Sequence, residues 1–122
     1  MHDITPPLTA GMQLIQSYGP GGFRIGNVMH DGPVLVLPTA TVAWSGALTL
    51  EALAPLLEVS PPTEVLLIGT GARHDMLDAG LRQALKTQGF PHDTMDSGAA
   101  CRTFNILLGE GRRVAAALRL PV

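Results

Sequence analysis

Glu64-Val65-Leu66-Leu67-Ile68-Gly69-Thr70-Gly71 is the most informative segment of this 122-residue chain. Its four consecutive aliphatic residues leave no polar side for water, so residues 65–68 are predicted to form a strand that is buried on both faces. A Gly-x-Gly turn ends this strand, and a segment with helical periodicity follows. The core is therefore expected to be a sheet with helices packed over it.

The patterns on either side of residue 49 differ in period. Before it, short apolar runs alternate with glycine- and proline-rich turns, and the runs that flank the turn at residues 18–22 are predicted to form a hairpin. After it, three segments with helical spacing are interleaved with the strand at residues 65–68 and with strand patterns at residues 90–95 and 114–118. This order favours hairpins in the first part and a parallel or mixed sheet, with helices on its faces, in the second.

Residues that begin and end helices support the three helical segments. Thr49 and Ser97 are predicted to be N-caps, and Gly89 is placed to end the second helix. The first helix is expected to be short and distorted because it contains Pro55, which removes a backbone donor.

The chain is predicted to contain one domain. Residues 1–11 are polar and contain two prolines, so they are expected to form a flexible arm, and residues 12–122 are expected to form a single α/β domain. No segment resembles a signal or transit peptide, and the single cysteine, Cys101, fits a reducing compartment, so a cytoplasmic location is expected.

Composition indicates the class of partner. Charged residues make up 15% of the chain against a typical value of roughly 25%, so part of the surface is expected to be covered by another protein or by a second copy of the chain. The net charge is −2 and the basic residues are scattered, which argues against nucleic acid. Membrane insertion is not expected, because no apolar run approaches the ~20 residues that span a bilayer.

The glycine turn has two interpretations. Gly69 and Gly71 resemble the start of the dinucleotide fingerprint Gly-x-Gly-x-x-Gly, but His74 occupies the position of the third glycine. A small anion could instead be held by Gly69, Gly71 and Arg73 at the start of the following helix. The alternative is that both glycines only allow a buried strand to turn toward its helix.

The sequence contains no arrangement that predicts catalysis, a cofactor or a metal site. The four histidines are too widely spaced to form a local pair of metal ligands. Cys101 lies in the first turn of the third predicted helix beside Arg102, so it is either a reactive thiol or a small residue packed in the core. The sequence therefore favours a non-catalytic protein without metal or cofactor and leaves enzymatic activity open.

The third helix offers a candidate binding surface. Arg102 and Asn105 lie three residues apart on one side of it, away from the apolar stripe that contains Phe104. Their donors suit a carboxylate or a backbone carbonyl of a partner protein. The alternative is that they hold this helix to another part of their own domain.

Several segments, in order, resemble a family of small α/β proteins of unknown biochemical activity. This family includes mitochondrial complex I assembly factor 3 and its bacterial and archaeal relatives. The chain departs from the family's pattern at Asp93, Ser97 and Phe104, where Glu, Thr and Tyr are usual. The matching segments are Tyr18-Gly-Pro-Gly-Gly-Phe23-Arg-Ile25, Gly32-Pro-Val-Leu-Val-Leu-Pro38 with Trp44, Glu64 to Gly71, Met95-Asp-Ser-Gly-Ala-Ala-Cys101-Arg-Thr-Phe-Asn105-Ile-Leu, and Arg113-Val-Ala-Ala-Ala-Leu118.

The resemblance implies a three-layer α/β fold with a mixed central sheet and no catalytic residues or cofactor to transfer. It also implies a bacterial protein that binds other proteins as an assembly or scaffold factor. The alternative function is binding of a small molecule or anion, with or without enzymatic activity, at the turn from Gly69 to Arg73.

Overall fold

The computed structural model describes residues 2–4 and 13–122 of the chain. The strands are β1 His2–Asp3, β2 Ile15–Gly19, β3 Gly22–Ile25, β4 Val28–His30, β5 Val34–Val36, β6 Thr41–Ala43, β7 Val65–Gly69, β8 His92–Met95 and β9 Val114–Leu118. The helices are α1 Leu50–Leu57, α2 Ala79–Thr87 and α3 Ser97–Gly109. The described helices have 8, 9 and 13 residues, and none of them has the length and apolar content of a membrane span.

The larger sheet has five strands in the order β6-β5-β9-β7-β8. Strand β7 runs parallel to β8 and β9, whereas β5 runs antiparallel to β6 and β9, so the sheet is mixed. The prediction for β7 is confirmed at Leu66, Leu67 and Ile68, which are all buried, whereas Val65 at the start of the strand is partly buried. The middle position is held by β9, whose five residues are also all buried.

Two hydrophobic clusters cover the two faces of this sheet and make the fold three-layered. Alternate residues of β9 enter the two clusters, as the two-residue period of a strand requires. One cluster lies between the sheet, α3 and the smaller sheet of β1 to β4, and its largest members include Phe23, Leu67 and Phe104. The other joins the sheet to α1 and α2 through Leu53, Leu85 and their neighbours. The predicted three-layer α/β fold with a mixed sheet is confirmed.

The smaller sheet is a meander of four antiparallel strands. The predicted hairpin is its β2–β3 pair, while β4 was not predicted, because its exposed Val28 and Met29 show no alternation of apolar and polar residues. In the predicted arm of residues 1–11, His2–Asp3 forms β1 and pairs with β2, and Ile4 is partly buried. Met1 and residues 5–12 lie outside the described residues, so the predicted flexibility of the arm stays a prediction there.

The helix starts differ in part from the predictions. Thr49 caps α1 as predicted, accepting a hydrogen bond from the Ala52 amide at 3.1 Å, and Pro55 lies inside this eight-residue helix. Asp96 rather than Ser97 caps α3, and the Asp96 carboxylate accepts a hydrogen bond from the Ala99 amide at 2.9 Å. The predicted cap at Ser97 is wrong because its hydroxyl is bonded to other parts of the chain.

Cys101 is a packed core residue. It is fully buried in the cluster between α3 and the two sheets. Burial raises the pKa of the Cys101 thiol to about 12, although the nearby Arg102 opposes the rise. The packing interpretation of this cysteine is therefore supported.

We expect the Cys101 thiol to be inert in the folded protein, because a neutral, enclosed thiol does not attack a disulfide. An aromatic disulfide reagent at pH 8 should release about one equivalent of thiolate in denaturant and almost none without it. The neutral thiol's contribution to stability should be complete below the unfolded pKa near 9 and decline as the pH rises toward 12. Reaction of the native protein at the rate of the unfolded chain would show that Cys101 is accessible.

Candidate functional site

The carboxyl ends of the three parallel strands meet at one edge of the larger sheet. Ligands of open α/β sheets bind preferentially outside this edge. A cleft of about 300 Å³ lies there, and we call it the carboxyl-edge cleft. It is lined by Tyr18, Gly19, Pro20, Gly71, Ala72, Asp96, Gly98, Arg102 and Pro121.

The buried hydroxyl of Ser97 organises this edge. It donates to the Arg119 carbonyl at 2.6 Å and accepts from the Gly71 amide at 2.9 Å, while the Ser97 amide donates to the Gly71 carbonyl at 2.8 Å. A Cβ atom on Gly69 would lie 2.9 Å from the Cα of Ser97, so only glycine fits there. We refer to these contacts of Ser97 with Gly69, Gly71 and Arg119 as the Ser97 junction.

The loop after Gly71 is folded back on itself instead of starting a helix. The Thr70 hydroxyl donates to the Arg73 carbonyl at 2.7 Å and accepts from the Asp75 amide at 3.0 Å. Helix α2 begins only at Ala79 and is capped by the Asp78 carboxylate. The expectation that a helix begins beside the glycines is therefore wrong. A dinucleotide fingerprint requires a helix that starts there, so this loop does not have the geometry of the fingerprint.

The predicted anion-binding residues do not form one group of donors. Gly69 is packed against Ser97, and the amide of Gly71 is already bonded within the Ser97 junction. Arg73 is exposed. The anion site stays a prediction that depends on Arg73, and the structural interpretation of the two glycines is supported.

The polar side chains of the carboxyl-edge cleft come from the β2–β3 hairpin and the first turns of α3. The Arg102 guanidinium donates to the Tyr18 hydroxyl, with 2.5 Å between Nη1 and Oη. A Cβ atom on Gly98 would lie 3.0 Å from the Tyr18 ring, so the absence of a side chain there lets the hairpin approach the helix. The hairpin and α3 thus present one phenol, one guanidinium and the Asp96 carboxylate.

Asn105 and Arg102 have different surroundings despite their spacing. The Asn105 side chain accepts from the Ile15 amide at 2.9 Å and donates to the Ile15 carbonyl at 2.8 Å, so it acts as a two-point backbone partner for β2. Arg102 is exposed and lies between the carboxyl-edge cleft and a second cleft of about 330 Å³. This second cleft is lined by Ile4, Arg102, Asn105 and Ile106, and Ile106 is 61% exposed.

In the described part of the chain, the remaining titratable side chains do not assemble a metal site. Within residues 2–4 and 13–122, no group of three or more His, Cys, Asp or Glu side chains could hold a metal ion. A cleft beside α2 is lined by His74, His92 and Asp93. This arrangement was not predicted from the sequence. His74 and His92 come from separate segments, so no local spacing could have indicated that they lie together.

The amino-acid sequence relates this chain to one protein family and to named relatives. The family model described as "Protein of unknown function (DUF498/DUF598)" matches residues 15–119. An uncharacterized protein of Rhodobacter capsulatus is 40% identical over 95% of this chain and 90% of its own length. A Danio rerio protein named NADH dehydrogenase (ubiquinone) 1 alpha subcomplex assembly factor 3 is 39% identical over 88% of this chain. The match covers 64% of that relative, which is less than two thirds of its length.

Solved structures agree with the sequence comparison. A crystal structure described as an outer membrane protein from Bartonella henselae has a TM-score of 0.81 and 41% identity, covering 90% of this chain and 96% of that one. A solution structure of a Bordetella pertussis protein described as an Mth938-like domain has a TM-score of 0.74 and 30% identity, covering 99% and 93% of the two chains. The resemblance predicted from the sequence motifs is confirmed: the relatives of the chain include proteins named as assembly factor 3 of NADH dehydrogenase, and the chain belongs to the DUF498/DUF598 family.

Proposed function

We propose that this protein is a non-catalytic assembly factor that binds other proteins through the exposed side of α3. The observation that carries the proposal is the position of Arg102, whose exposed guanidinium lies between two clefts and beside the exposed Ile106. We call Ile4, Arg102 and Ile106 the α3 surface. Relatives named as assembly factors of NADH dehydrogenase support the same class of function.

The composition of the α3 surface suits recognition of a protein. Arginine is enriched at protein interfaces, where its guanidinium can bind carboxylates or carbonyls and its stem can pack on apolar groups. Ile106 supplies an apolar contact next to it, and Ile4 also lines the second cleft. The low fraction of charged residues in the chain predicts that part of its surface is covered by a partner. A partner bound to these residues would cover such a weakly charged surface.

The groups at the carboxyl-edge cleft favour binding over catalysis. The Asp96 carboxylate caps α3, and the Tyr18 hydroxyl is held by Arg102. The Cys101 thiol is enclosed in the core, and the Ser97 hydroxyl is bonded on both sides. A nucleophile needs an adjacent base and access to substrate, and among the described residues the buried Cys101 thiol and Ser97 hydroxyl have neither. A cytoplasmic location is part of the proposal and is compatible with the buried thiol.

Deletion of the gene in the native host should lower the amount of assembled NADH dehydrogenase. Native gels and NADH:ubiquinone oxidoreductase activity of membranes measure this effect. The wild-type gene should restore both, whereas the double variant Arg102→Glu, Ile106→Asp should leave both near the level of the deletion strain. The matched control is Arg24→Glu, which changes an exposed arginine on β3 and should restore both.

The assembly function and the α3 surface can be refuted separately. Unchanged NADH dehydrogenase after deletion would refute the assembly function. Full restoration by the double variant, with the deletion defect present, would refute the α3 surface as the binding site. Thermal unfolding of each purified variant shows whether a loss of function is a loss of folding.

Asn105→Ala should destabilise the fold, in contrast to Arg102→Ala. It leaves the amide and carbonyl of the fully buried Ile15 without their partner, at a cost of about 1–3 kcal/mol for each group. The midpoint of thermal unfolding should fall by several degrees for Asn105→Ala and by much less for Arg102→Ala. Equal midpoints for the two variants would show that Asn105 does not hold β2 to α3.

A further inference from the structure

Among the strands that the structure describes, β8 lies at an edge of the larger sheet, with β7 as its neighbour. The amides of Leu66 and Thr70 donate to the carbonyls of Pro91 and Met95, so odd-numbered residues of this strand direct their backbone groups toward β7. In a parallel ladder the alternate residues point the other way. His92 and Thr94 therefore direct their N–H and C=O groups toward the free edge, where a further strand could pair.

Two clefts lie along this edge, between β8 and the layer that contains α2. One, of about 410 Å³, lies beside the start of the strand, and the other, of about 270 Å³, lies beside its middle. Arg82 and His92 line both clefts, so together they form one groove that follows the strand, which we call the β8 groove. Its lining also includes His74, Met76, Leu77, Lys86, Phe90 and Asp93.

The β8 groove combines apolar surface with positive charge. Met76 is 76% exposed, and the partly buried Phe90 lies at the other end. Arg82 and Lys86 lie four residues apart on α2, so they occupy one side of the helix. Among the described residues, ion pairs join Glu64 to Arg112 and Arg113, and neither cation of the β8 groove is engaged in one.

The open edge is protected by a local hydrogen bond. The Asp93 carboxylate accepts from the Thr94 amide at 2.9 Å and so occupies a donor that points away from β7. Side chains that cover the edge of a sheet prevent indiscriminate pairing with other strands. A strand that pairs here must displace this carboxylate.

We propose that the β8 groove binds an extended, acidic segment of a partner protein by strand addition. Main-chain hydrogen bonds to His92 and Thr94 would align the segment, and its alternate side chains would enter the two clefts. Acidic side chains are favoured because they would meet Arg82 and Lys86. A second copy of this chain is disfavoured, since pairing of two β8 edges would bring the same cations together.

This site is separate from the α3 surface, so a negative result with Arg102 and Ile106 does not decide it. The probe is a capped ten-residue peptide of alternating Glu and Val, with an alternating Lys and Val peptide as its matched control. Calorimetry should detect binding of the acidic peptide and at least tenfold weaker binding of the basic one. At saturation, amide exchange at His92 and Thr94 should slow at least tenfold, as measured by NMR of the full chain.

Two sets of variants test the named residues. The double variant Arg82→Glu, Lys86→Glu should weaken binding of the acidic peptide at least tenfold, and added salt should weaken binding to the wild type. Asp93→Ala should tighten binding severalfold, because it frees the Thr94 amide and removes a negative charge, whereas Asp31→Ala, at an exposed acid elsewhere, should not.

Several results would overturn the proposal. The proposal is wrong if the acidic peptide does not bind at millimolar concentration or if both peptides bind equally. It is also wrong if slowed amide exchange is confined to β4 or β6. Slowed exchange at His92 that depends on protein concentration without peptide would show that a second copy occupies the edge. Unchanged affinity in the Arg82, Lys86 variant, with native thermal stability, would exclude the β8 groove.

Discussion

The arrangement of the site depends on the Ser97 junction. One buried hydroxyl joins the turn after β7 to the end of β9, and the adjacent amide returns a hydrogen bond to the same turn. Gly69 is required beside it, because a Cβ atom would press against the backbone of Ser97. These contacts hold the first turn of α3 against the carboxyl ends of the parallel strands. They thereby fix the position from which Arg102 projects.

Helix α3 has a double function in this fold. Its inner side fills the space between the two sheets with Ala100, Cys101 and Phe104. Its Asn105 side chain bonds the backbone of β2 as a neighbouring strand would. Its remaining side carries Arg102 and Ile106 to the surface. A helix that is packed on two sides cannot shift without disturbing the core, so its exposed side is a rigid platform. Rigid surfaces lose little conformational entropy on binding, which suits a protein that recognises other proteins.

Much of the fold could be predicted because its signals are local. The apolar runs of β7 and β9 and the glycine that ends α2, Gly89, each depend on a few adjacent residues. The site was less predictable because its contacts join distant segments. Asp96 and Ser97 are equally good helix caps by residue type, and the choice between them depends on the hydrogen bond from Ser97 to Arg119. The function of Asn105 depends on Ile15, which lies 90 residues earlier in the chain. The late start of α2 depends on the hydrogen bonds of Thr70.

In this fold the turn from Gly69 to Gly71 is a buried packing junction, with Gly69 against Ser97 and the Gly71 amide bonded to the Ser97 hydroxyl. Amide hydrogen exchange of Gly71, measured by NMR over a series of denaturant concentrations, tests it most directly. We expect this amide to exchange only through global unfolding, with the same free energy as the amides of β7. Exchange of Gly71 through local opening, at the rate of the exposed Arg73 while β7 stays protected, would contradict it.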